Sequence, residues 1–288
     1  MERGAPPGGR DVRAASGEEP SRIARERLWE EQAARDPGLR EEARKAGRLR
    51  LADARARADP ALVDEVRVLG ITGDRTAFAR AAAPFLSAEE MADALVGRRA
   101  GPSPSPPLDR VWVALSVLWE RWLPERPSLE RIDDWIHEGY AAEAGDPGAA
   151  CASWLQVWPA VLAAMDTSGI RSLPAFDERL RGSRSVLGWV RDLERALWSA
   201  GLRDPAFLGE GVRLCEEYLA RFRPEDPLAP SMRLALALHH VARGSSRKER
   251  PAALERLRLR CVEGGREEDA REVERRAGEA RGLHSAKA

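Results

Sequence analysis

The stretch WIHEGYAAEAGDPGAACASWLQVW, residues 135–158, is the clearest indication of how this chain folds. Its apolar residues recur every three or four positions on both sides of a turn at Gly145, Asp146 and Pro147, which is the period of amphipathic helices. Glycine favours the end of the first helix, and aspartate followed by proline favours the start of the second. Pro159 is expected to end or kink the second helix, because its ring clashes with the preceding turn. The stretch therefore predicts an αα-hairpin.

The same pattern returns further along the chain. When Cys151 is set over Cys215, the aromatic residue three positions on is matched in both copies, Trp154 by Tyr218. A second turn of Gly, Asp and Pro precedes the later cysteine, and a weaker third unit follows over residues 234–261. Repeated helical hairpins bury a continuous core by stacking on their neighbours. The chain is therefore predicted to be all-α and built of stacked antiparallel helical hairpins.

The spacing of Ala150 and Trp154 after a Gly and Asp turn resembles the A-x-x-x-F half of a tetratricopeptide repeat, although the other signature positions differ. The sequence from Leu118 to about Arg223 is also similar to a group of bacterial proteins that carry divergent tetratricopeptide-like helices, some of which end in a SEC-C metal-binding motif. This resemblance covers a little over a third of the chain and implies a tetratricopeptide-like α-solenoid. The SEC-C motif needs clustered Cys and His, and the sequence after Cys261 holds His284 alone. No metal function follows from the resemblance.

Composition supports helices and limits the partners and location that we expect. The 288 residues are 43% hydrophobic, mostly Ala, Leu and Val, with only two Tyr and five Phe, which suits helices better than sheets. The formal net charge is zero, so the overall balance does not favour nucleic acid or an anionic membrane. The longest apolar run, residues 111–119, is too short for a bilayer, which needs about 20 residues. The three cysteines are far apart, as in a reduced protein, and we predict a soluble, cytoplasmic chain with no membrane partner.

Proline, glycine and charge divide the chain into predicted segments. Residues 1–19 lack apolar periodicity and are predicted to form a disordered leader. Residues 20–100 form a helical N-terminal region whose thin apolar faces need a partner surface. GPSPSPP at residues 101–107 cannot continue a helix and forms a linker. Residues 108–262 form the tetratricopeptide-like repeat domain, which holds the core, and residues 263–288 form a charged tail.

The helices of the N-terminal region are also predicted from local signals. Pro37 separates two helices between Ser21 and about Ala58, because proline is costly inside a helix. Three shorter helices follow, near residues 60–69, 74–82 and 88–95. The last of them is predicted to begin with a capping box formed by a Ser and a Glu three residues later.

The strongest metal candidate is the set Glu130, Asp133, Asp134 and His137 in the first helix of the hairpin. Asp134 and His137 are three apart and lie on one helical face, the spacing that metal sites of helical bundles use. The sequence lacks a second such pair on a facing helix. We therefore interpret these residues as the solvated polar face of an amphipathic helix, and we predict neither a metal ion nor a cofactor.

The other reactive residues receive structural interpretations. His239 and His240 are adjacent and lie about 100° apart on a helix, so they cannot chelate one ion together. We interpret both as ordinary helix residues. Cys151, Cys215 and Cys261 are predicted to be small buried residues at contacts between helices. No phosphate-binding loop, nucleophile elbow or zinc-protease motif occurs in the sequence, and we do not expect an enzyme.

Eight of the nine tryptophans lie between Trp112 and Trp198, and they admit two interpretations. At helical spacing beside Leu and Val they are predicted to be mainly core residues. The alternative is that some of them line a groove, where neighbouring arginines stack or pair with the carboxylates of a peptide. The partner-binding candidates are Trp119, Trp122, Trp135, Arg121, Arg131 and His137.

These observations favour a non-catalytic scaffold that binds a protein or peptide on a helical-repeat surface. The alternative is a nucleic-acid-associated protein that binds through the basic helices of residues 22–57 and 243–281, although acidic residues are interleaved there. A helical enzyme that uses the carboxylates of residues 130–138 is a third interpretation, and no catalytic motif supports it.

Overall fold

The computed structural model of the chain describes residues 20–67, 69–71, 73–97, 107–143, 145–246 and 248–285. In these residues every regular element is helical and no strand is present, which confirms the predicted all-α class. The predicted leader, residues 1–19, and most of the predicted linker, residues 101–106, lie outside the described residues.

The helices are joined by mostly short connections. In chain order they are α1 Arg22–Arg35, α2 Pro37–Lys45, α3 Leu51–Arg55, α4 Asp59–Arg67, α5 Arg75–Ala82, α6 Ala88–Gly97, α7 Leu108–Trp122, α8 Leu129–Glu143, α9 Pro147–Leu155, α10 Val157–Ser168, α11 Leu173–Leu180, α12 Val186–Gly201, α13 Ala206–Arg221, α14 Ala229–Arg243, α15 Arg250–Glu263 and α16 Glu267–Ser285. They belong to two compact units. Unit 1 comprises Met1–His137, Gln156–Ile170 and Pro174–Ser185, and unit 2 comprises Glu138–Leu155, Arg171–Leu173 and Val186–Ala288.

Aspartate followed by proline begins helices in both units. In each case the aspartate Oδ1 accepts a hydrogen bond from the amide two residues further on, at 2.9 Å for Asp36, 2.9 Å for Asp146 and 3.0 Å for Asp204. The side chain thereby satisfies an amide that has no partner inside the helix, while the fixed backbone angle of proline suits the first turn. The predicted starts of α2, α9 and α13 are confirmed.

A break before Pro159 separates α9 from α10, as predicted. α9 ends at Leu155 and α10 begins at Val157, so the proline lies in the first turn of α10, where its missing amide leaves no helix bond unmade. By length and composition alone, Pro147–Ser168 is apolar enough to cross a membrane. The core helix of a soluble protein passes the same test, and 44% of the most apolar part of this stretch is buried inside the protein.

The N-terminal helices follow the prediction with one difference. The second helix predicted after Pro37 is divided into α2 and α3, because Gly47 between them has a φ of +66°, a left-handed conformation that favours glycine and ends a helix. The shorter helices α4, α5 and α6 are confirmed. At the start of α6 the Ser87 Oγ accepts a hydrogen bond from the amide of Glu90 at 3.0 Å, and the Glu90 carboxylate accepts one from Leu86 at 3.3 Å.

The core of unit 1 forms around α7. Residues Val111–Trp119 are all buried, and α3, α4 and α6 pack against this helix. The same core extends through Ile23, Leu62 and Met91 of the N-terminal helices. The structure therefore differs from the predicted domain boundary at residues 101–107, because α7 completes the thin apolar faces of the helices that precede it.

Neighbouring helices pack side by side along unit 2. α12 packs on α13, α13 on α14, α14 on α15 and α15 on α16, and α9 also packs on α12. Gly139, near the end of α8, permits a close approach, because a Cβ atom there would lie 1.9 Å from the Nε1 of Trp154. Next to it, the rings of Tyr140 and Trp154 meet edge-on with their centres 4.9 Å apart.

The predicted charged tail forms the helix α16 and contributes to the core of unit 2, which corrects the prediction. A narrow stripe of small apolar residues recurs every three or four positions and is buried: Ala270, Val273, Ala277 and Ala280. α16 also contacts α12, where the Nε1 of Trp198 donates a hydrogen bond to Glu279 at 3.0 Å. Because the stripe is narrow and the residues around it are mostly Arg and Glu, the composition of this segment does not indicate a buried face.

Candidate functional site

Trp119 belongs to the core of unit 1 rather than to a groove. Its side chain is 1% exposed, and its Nε1 donates a hydrogen bond to the carbonyl of Arg126 at 2.7 Å. The Arg126 guanidinium lies over the indole ring, 5.2 Å from its centre, and the ring of Phe78 meets it edge-on at 6.3 Å. This tryptophan therefore packs as the core interpretation predicts.

Trp122 and Arg121 bind Asp59 at the start of α4. The Nε1 of Trp122 donates to one carboxylate oxygen of Asp59 at 2.7 Å, and Arg121 donates to the other. Arg121 also donates to the carbonyl of Arg55 at 2.7 Å and to that of Arg57 at 2.9 Å, near the end of α3. Hydrogen bonds from Arg121 and then Trp122 lower the pKa of Asp59. Both side chains are thus used in contacts within unit 1.

Arg131 and Trp135 form a stacked pair on α8. The guanidinium lies over the indole ring, 5.0 Å from its centre, and the two residues are four apart on one helical face. Both residues are partly exposed, and Arg131 also lies 3.8 Å from Asp134. The indole N–H of Trp135 donates no hydrogen bond to any described residue. A partly exposed tryptophan with an arginine stacked on it is a residue pair typical of binding hot spots.

His137 faces a different side of α8 from Trp135. The two residues are two positions apart, which turns their side chains by about 200°. The imidazole is partly buried, and this burial, followed by the charge of Arg27, lowers its pKa against the opposing effect of Asp133. The lowered pKa favours the neutral imidazole, and His137 does not share a surface with the tryptophan.

The three acidic residues of the metal candidate are buried, which corrects the predicted solvated polar face. Glu130, Asp133 and Asp134 are 3%, 0% and 6% exposed. Asp133 accepts hydrogen bonds from the Nε of Arg27 at 2.9 Å and from the amide of Ser183 at 2.8 Å. Asp134 forms ion pairs with arginines of α1 and α3. These charges are tolerated in the interior because cations from distant parts of the chain pair with them.

Glu130 caps the N-terminus of α6 from another helix. Its carboxylate accepts hydrogen bonds from the amides of Ala88 at 3.1 Å and Glu89 at 2.9 Å, and from the Nε1 of Trp112 at 3.4 Å. Burial raises the pKa of Glu130, while the N–H donors oppose this rise. The carboxylates of the metal candidate are thus bound by arginines, backbone amides and an indole N–H. Within the described ranges, no group of three or more His, Cys, Asp or Glu side chains is placed to hold a metal ion.

The sequence does not predict the buried ionic cluster of unit 2, which consists of Glu194 on α12, His239 on α14 and Arg276 on α16. These residues are 4%, 0% and 3% exposed. The Arg276 guanidinium binds both carboxylate oxygens of Glu194, at 2.7 and 2.6 Å, and the Nε2 of His239 lies 3.0 Å from one of them. Burial opposes the ionisation of Glu194, but Arg276 and His239 outweigh it and lower the pKa of this carboxyl to about 2.

Close packing surrounds the cluster. The ring of Trp198 meets His239 edge-on at 5.8 Å, and Arg276 lies over the same indole at 5.2 Å. A Cβ atom on Gly211 would lie 2.2 Å from the imidazole, and the Nδ1 of His239 is buried with no hydrogen-bond partner in the described part of the chain. His239 is thus not an ordinary helix residue, whereas its neighbour His240 is exposed. The sequence feature that could have indicated the cluster is Glu194, a charged residue among the regularly spaced apolar residues of α12.

The three cysteines are buried and free, which confirms their predicted packing role. Cys151, Cys215 and Cys261 are each 0% exposed. Burial raises the pKa of Cys151 to about 12 and also raises that of Cys215, whose Sγ lies 4.0 Å from the Sδ of Met232. Because the thiolate is the reactive form, these positions do not favour thiol chemistry at neutral pH.

The structure divides the six partner-binding candidates into three groups. Trp119, Trp122 and Arg121 stabilise unit 1, His137 faces α1, and Arg131 with Trp135 forms the stacked pair. Trp122 and Trp135 are both partly exposed, but the indole N–H of Trp122 is bound by Asp59, whereas that of Trp135 has no acceptor among the described residues. No family model, curated protein or solved structure matches the chain, and the resemblance to tetratricopeptide-like bacterial proteins stays a prediction.

Proposed function

We propose that this chain is a non-catalytic scaffold that binds a protein or peptide on the surface of α8 around Trp135. The observation that carries the proposal is the stacked pair of Trp135 and Arg131, which is partly exposed and leaves the indole N–H without an acceptor among the described residues. Tryptophan and arginine dominate many interfaces, because a large flat ring and a planar cation bury much area for few rotatable bonds.

The buried charges of α8 support this site, because they fix the helix that carries it. Asp133 and Asp134 bind arginines on the inner side of α8, and Glu130 binds the start of α6. A binding side chain on a rigid element loses little freedom when its partner arrives. We therefore expect a partner segment that places an apolar group on the ring of Trp135 and a carboxylate against Arg131.

The proposal includes a tetratricopeptide-like stacking of hairpins. In its support, α12 with α13 and α14 with α15 are consecutive helices that pack together. The cysteine-bearing helices α9 and α13 also bury matched side chains, Cys151 with Trp154 and Cys215 with Tyr218. Stacked hairpins present an extended surface to a partner. We further propose a cytoplasmic protein without a membrane partner, as the composition predicts.

Selection from a phage-displayed peptide library, with the whole chain as the target, tests the binding function. We expect peptides that contain apolar and acidic residues, with saturable binding in fluorescence anisotropy. Trp135→Ala is expected to weaken this binding about 30-fold, since loss of a hot-spot side chain costs about 2 kcal/mol. Arg131→Ala is expected to weaken the binding of peptides that carry a carboxylate more than the binding of the same peptides with an amide in its place.

Leu28→Ala is the matched control, because Leu28 is a single exposed apolar side chain on α1. We expect this variant to bind the selected peptides as the unchanged chain does. Circular dichroism must show that each variant is folded. A library that yields no saturable binder, or peptides that bind Trp135→Ala undiminished, would show that the proposal is wrong.

The nucleic-acid alternative has less support. Many arginines of the two basic regions pair with carboxylates, including Arg27 and Arg55 in the first and Arg275 and Arg276 in the second. Paired guanidinium groups are less available to phosphates. Titration of labelled RNA and DNA oligonucleotides at low and high salt tests this alternative, since saturable binding that falls steeply with salt would favour it.

A further inference from the structure

Two exposed large apolar side chains of the described residues are neighbours on α15. Leu259 and Val262 are 46% and 47% exposed, and residues three apart lie on one face of a helix. The opposite face of α15 packs into unit 2 through Leu254 and Cys261, which are fully buried. α15 therefore has a second apolar surface that no described residue covers.

The residues around Leu259 are spaced as in a helix that pairs with another helix. Arg256, Leu259 and Glu263 recur at intervals of three and four residues and are all exposed, which is the spacing of the contact positions in paired helices. Among the described residues, Arg256 and Glu263 form no salt bridge, whereas Arg258 on the flank of the same helix pairs with Glu255 at 2.7 Å. The charge of Arg256 acts on Glu249 at a distance, but neither Arg256 nor Glu263 is held in an ion pair within the described residues.

We propose that α15 pairs with α15 of a second copy of this chain in an antiparallel, two-fold symmetric homodimer. Leu259 lies nearly midway between Arg256 and Glu263, about 4.5 Å from one and about 6 Å from the other along the helix axis. In an antiparallel pair centred on Leu259, each Arg256 lies opposite the Glu263 of the other copy, and the two Leu259 side chains meet between them. Val262 lies on the flank of this contact. A two-fold interface requires such a self-complementary patch.

The order of charges along α15 selects a second copy over a peptide of one charge. An acidic peptide would meet Glu263 and a basic one would meet Arg256, whereas an antiparallel copy matches both. Arg260, at the edge of this face, lies opposite its own counterpart and weakens the pair. α15 is 14 residues long, or about 21 Å, so the helix pair buries less than a standard interface of about 1,600 Å². We expect a weak dimer with a Kd in the micromolar range or above.

Sedimentation equilibrium of the whole chain over a concentration series tests the dimer. We expect a reversible monomer–dimer equilibrium that Leu259→Glu weakens at least tenfold. Leu28→Glu is the matched control, because Leu28 is equally accessible, at 53%, and lies on α1; it should leave the equilibrium unchanged. Circular dichroism and thermal unfolding establish that both variants are folded. Trp135→Ala should not alter the dimer, so this test is independent of the peptide-binding proposal.

Charge exchange tests the antiparallel register. Arg256→Glu and Glu263→Arg should each raise the dissociation constant about two- to fivefold, and the double variant should restore it, because opposite charges again face each other. Arg260→Gln should strengthen the dimer. A chain that stays monomeric at its highest soluble concentration, a dimer that tolerates Leu259→Glu, or a double variant as weak as the single ones would each overturn the proposal.

Discussion

Arg275 and Arg276 are adjacent on α16, but their different surroundings predict different contributions to the free energy of unfolding. Arg276 is buried against Glu194, while Arg275 pairs with Glu272 and Glu279 nearer the surface. Arg276→Ala would leave Glu194 buried without its main cation, and we expect the free energy of unfolding to fall by about 3–5 kcal/mol. Arg275→Ala is expected to lower it by less than about 1 kcal/mol. Urea denaturation followed by circular dichroism measures both changes.

A double variant separates the ion pair from the packing around it. Glu194→Leu combined with Arg276→Met removes both buried charges, and we expect it to recover most of the stability lost in Arg276→Ala. If Arg275→Ala and Arg276→Ala lower the free energy of unfolding equally, burial of the Glu194–Arg276 pair does not increase its contribution to stability. A double variant less stable than Arg276→Ala would attribute the loss to packing instead.

At the scale of residues, the sequence predicts which side of a helix is buried but not which charges are buried with it. The apolar period of α12 places Leu193 in the core, and its neighbour Glu194 is buried only because Arg276, 82 residues further along the chain, reaches it. Asp133 similarly depends on Arg27, 106 residues away. Such pairing is set by tertiary packing, which a local spacing does not contain.

At the scale of elements, α6 depends on a carboxylate that belongs to another helix. Glu130 of α8 accepts hydrogen bonds from the amides of Ala88 and Glu89, which have no acceptor inside α6. Glu130→Ala would leave these buried amides unpaired, and we expect a loss of about 2–3 kcal/mol in the free energy of unfolding. Hydrogen exchange measured by mass spectrometry should show lower protection at the start of α6.

Glu41→Ala is the control for this prediction, because Glu41 is an exposed carboxylate that pairs with Arg44 on its own helix. We expect it to leave the free energy of unfolding nearly unchanged, because an ion pair exposed to solvent contributes little. Unchanged protection of the α6 amides in Glu130→Ala would contradict the role given to this carboxylate.

The sequence predicts best those helices whose ends are set by residues close to them in the chain. The aspartate and proline pairs at Asp146 and Asp204 fix where α9 and α13 begin, and they act within two residues. α16 is missed because its apolar stripe consists mainly of alanines, such as Ala277, which bury little area each. The stripe stabilises the fold only when α12 and α15 pack against it.

At the scale of the whole molecule, the two units are not consecutive segments of the chain. Gln156–Ile170 and Pro174–Ser185 belong to unit 1 although they follow Glu138–Leu155 of unit 2. A proline-rich segment such as residues 101–107 predicts where a helix cannot continue, and it does not predict which helices share a core. That assignment depends on contacts between distant helices, which explains why the helices were predictable and the domain boundary was not.

The buried cluster of unit 2 makes the stability of the molecule sensitive to acid. The pKa of Glu194 in the folded chain is about 2, below its ordinary value of 4.5, so the unfolded chain binds the proton more readily. The stabilisation is therefore fully present above about pH 4.5 and is lost as the pH falls towards 2, an effect of about 3 kcal/mol. The pKa of Glu272, which also contacts Arg276, is lowered to about 2 and adds to the loss in the same range.

Glu194→Gln isolates this contribution, because glutamine imitates the protonated carboxyl at every pH. We expect the variant to be about 3 kcal/mol less stable than the unchanged chain at pH 7, and we expect the difference to shrink as the pH falls from about 4.5 to 2. Urea denaturation at a series of pH values measures this difference. Glu274→Gln is the control, because Glu274 is exposed on α16, the helix that carries Arg276, and its effect on stability should not change in this way with pH. A difference between Glu194→Gln and the unchanged chain that is constant with pH would mean that Arg276 and His239 do not hold Glu194 ionised in the folded state.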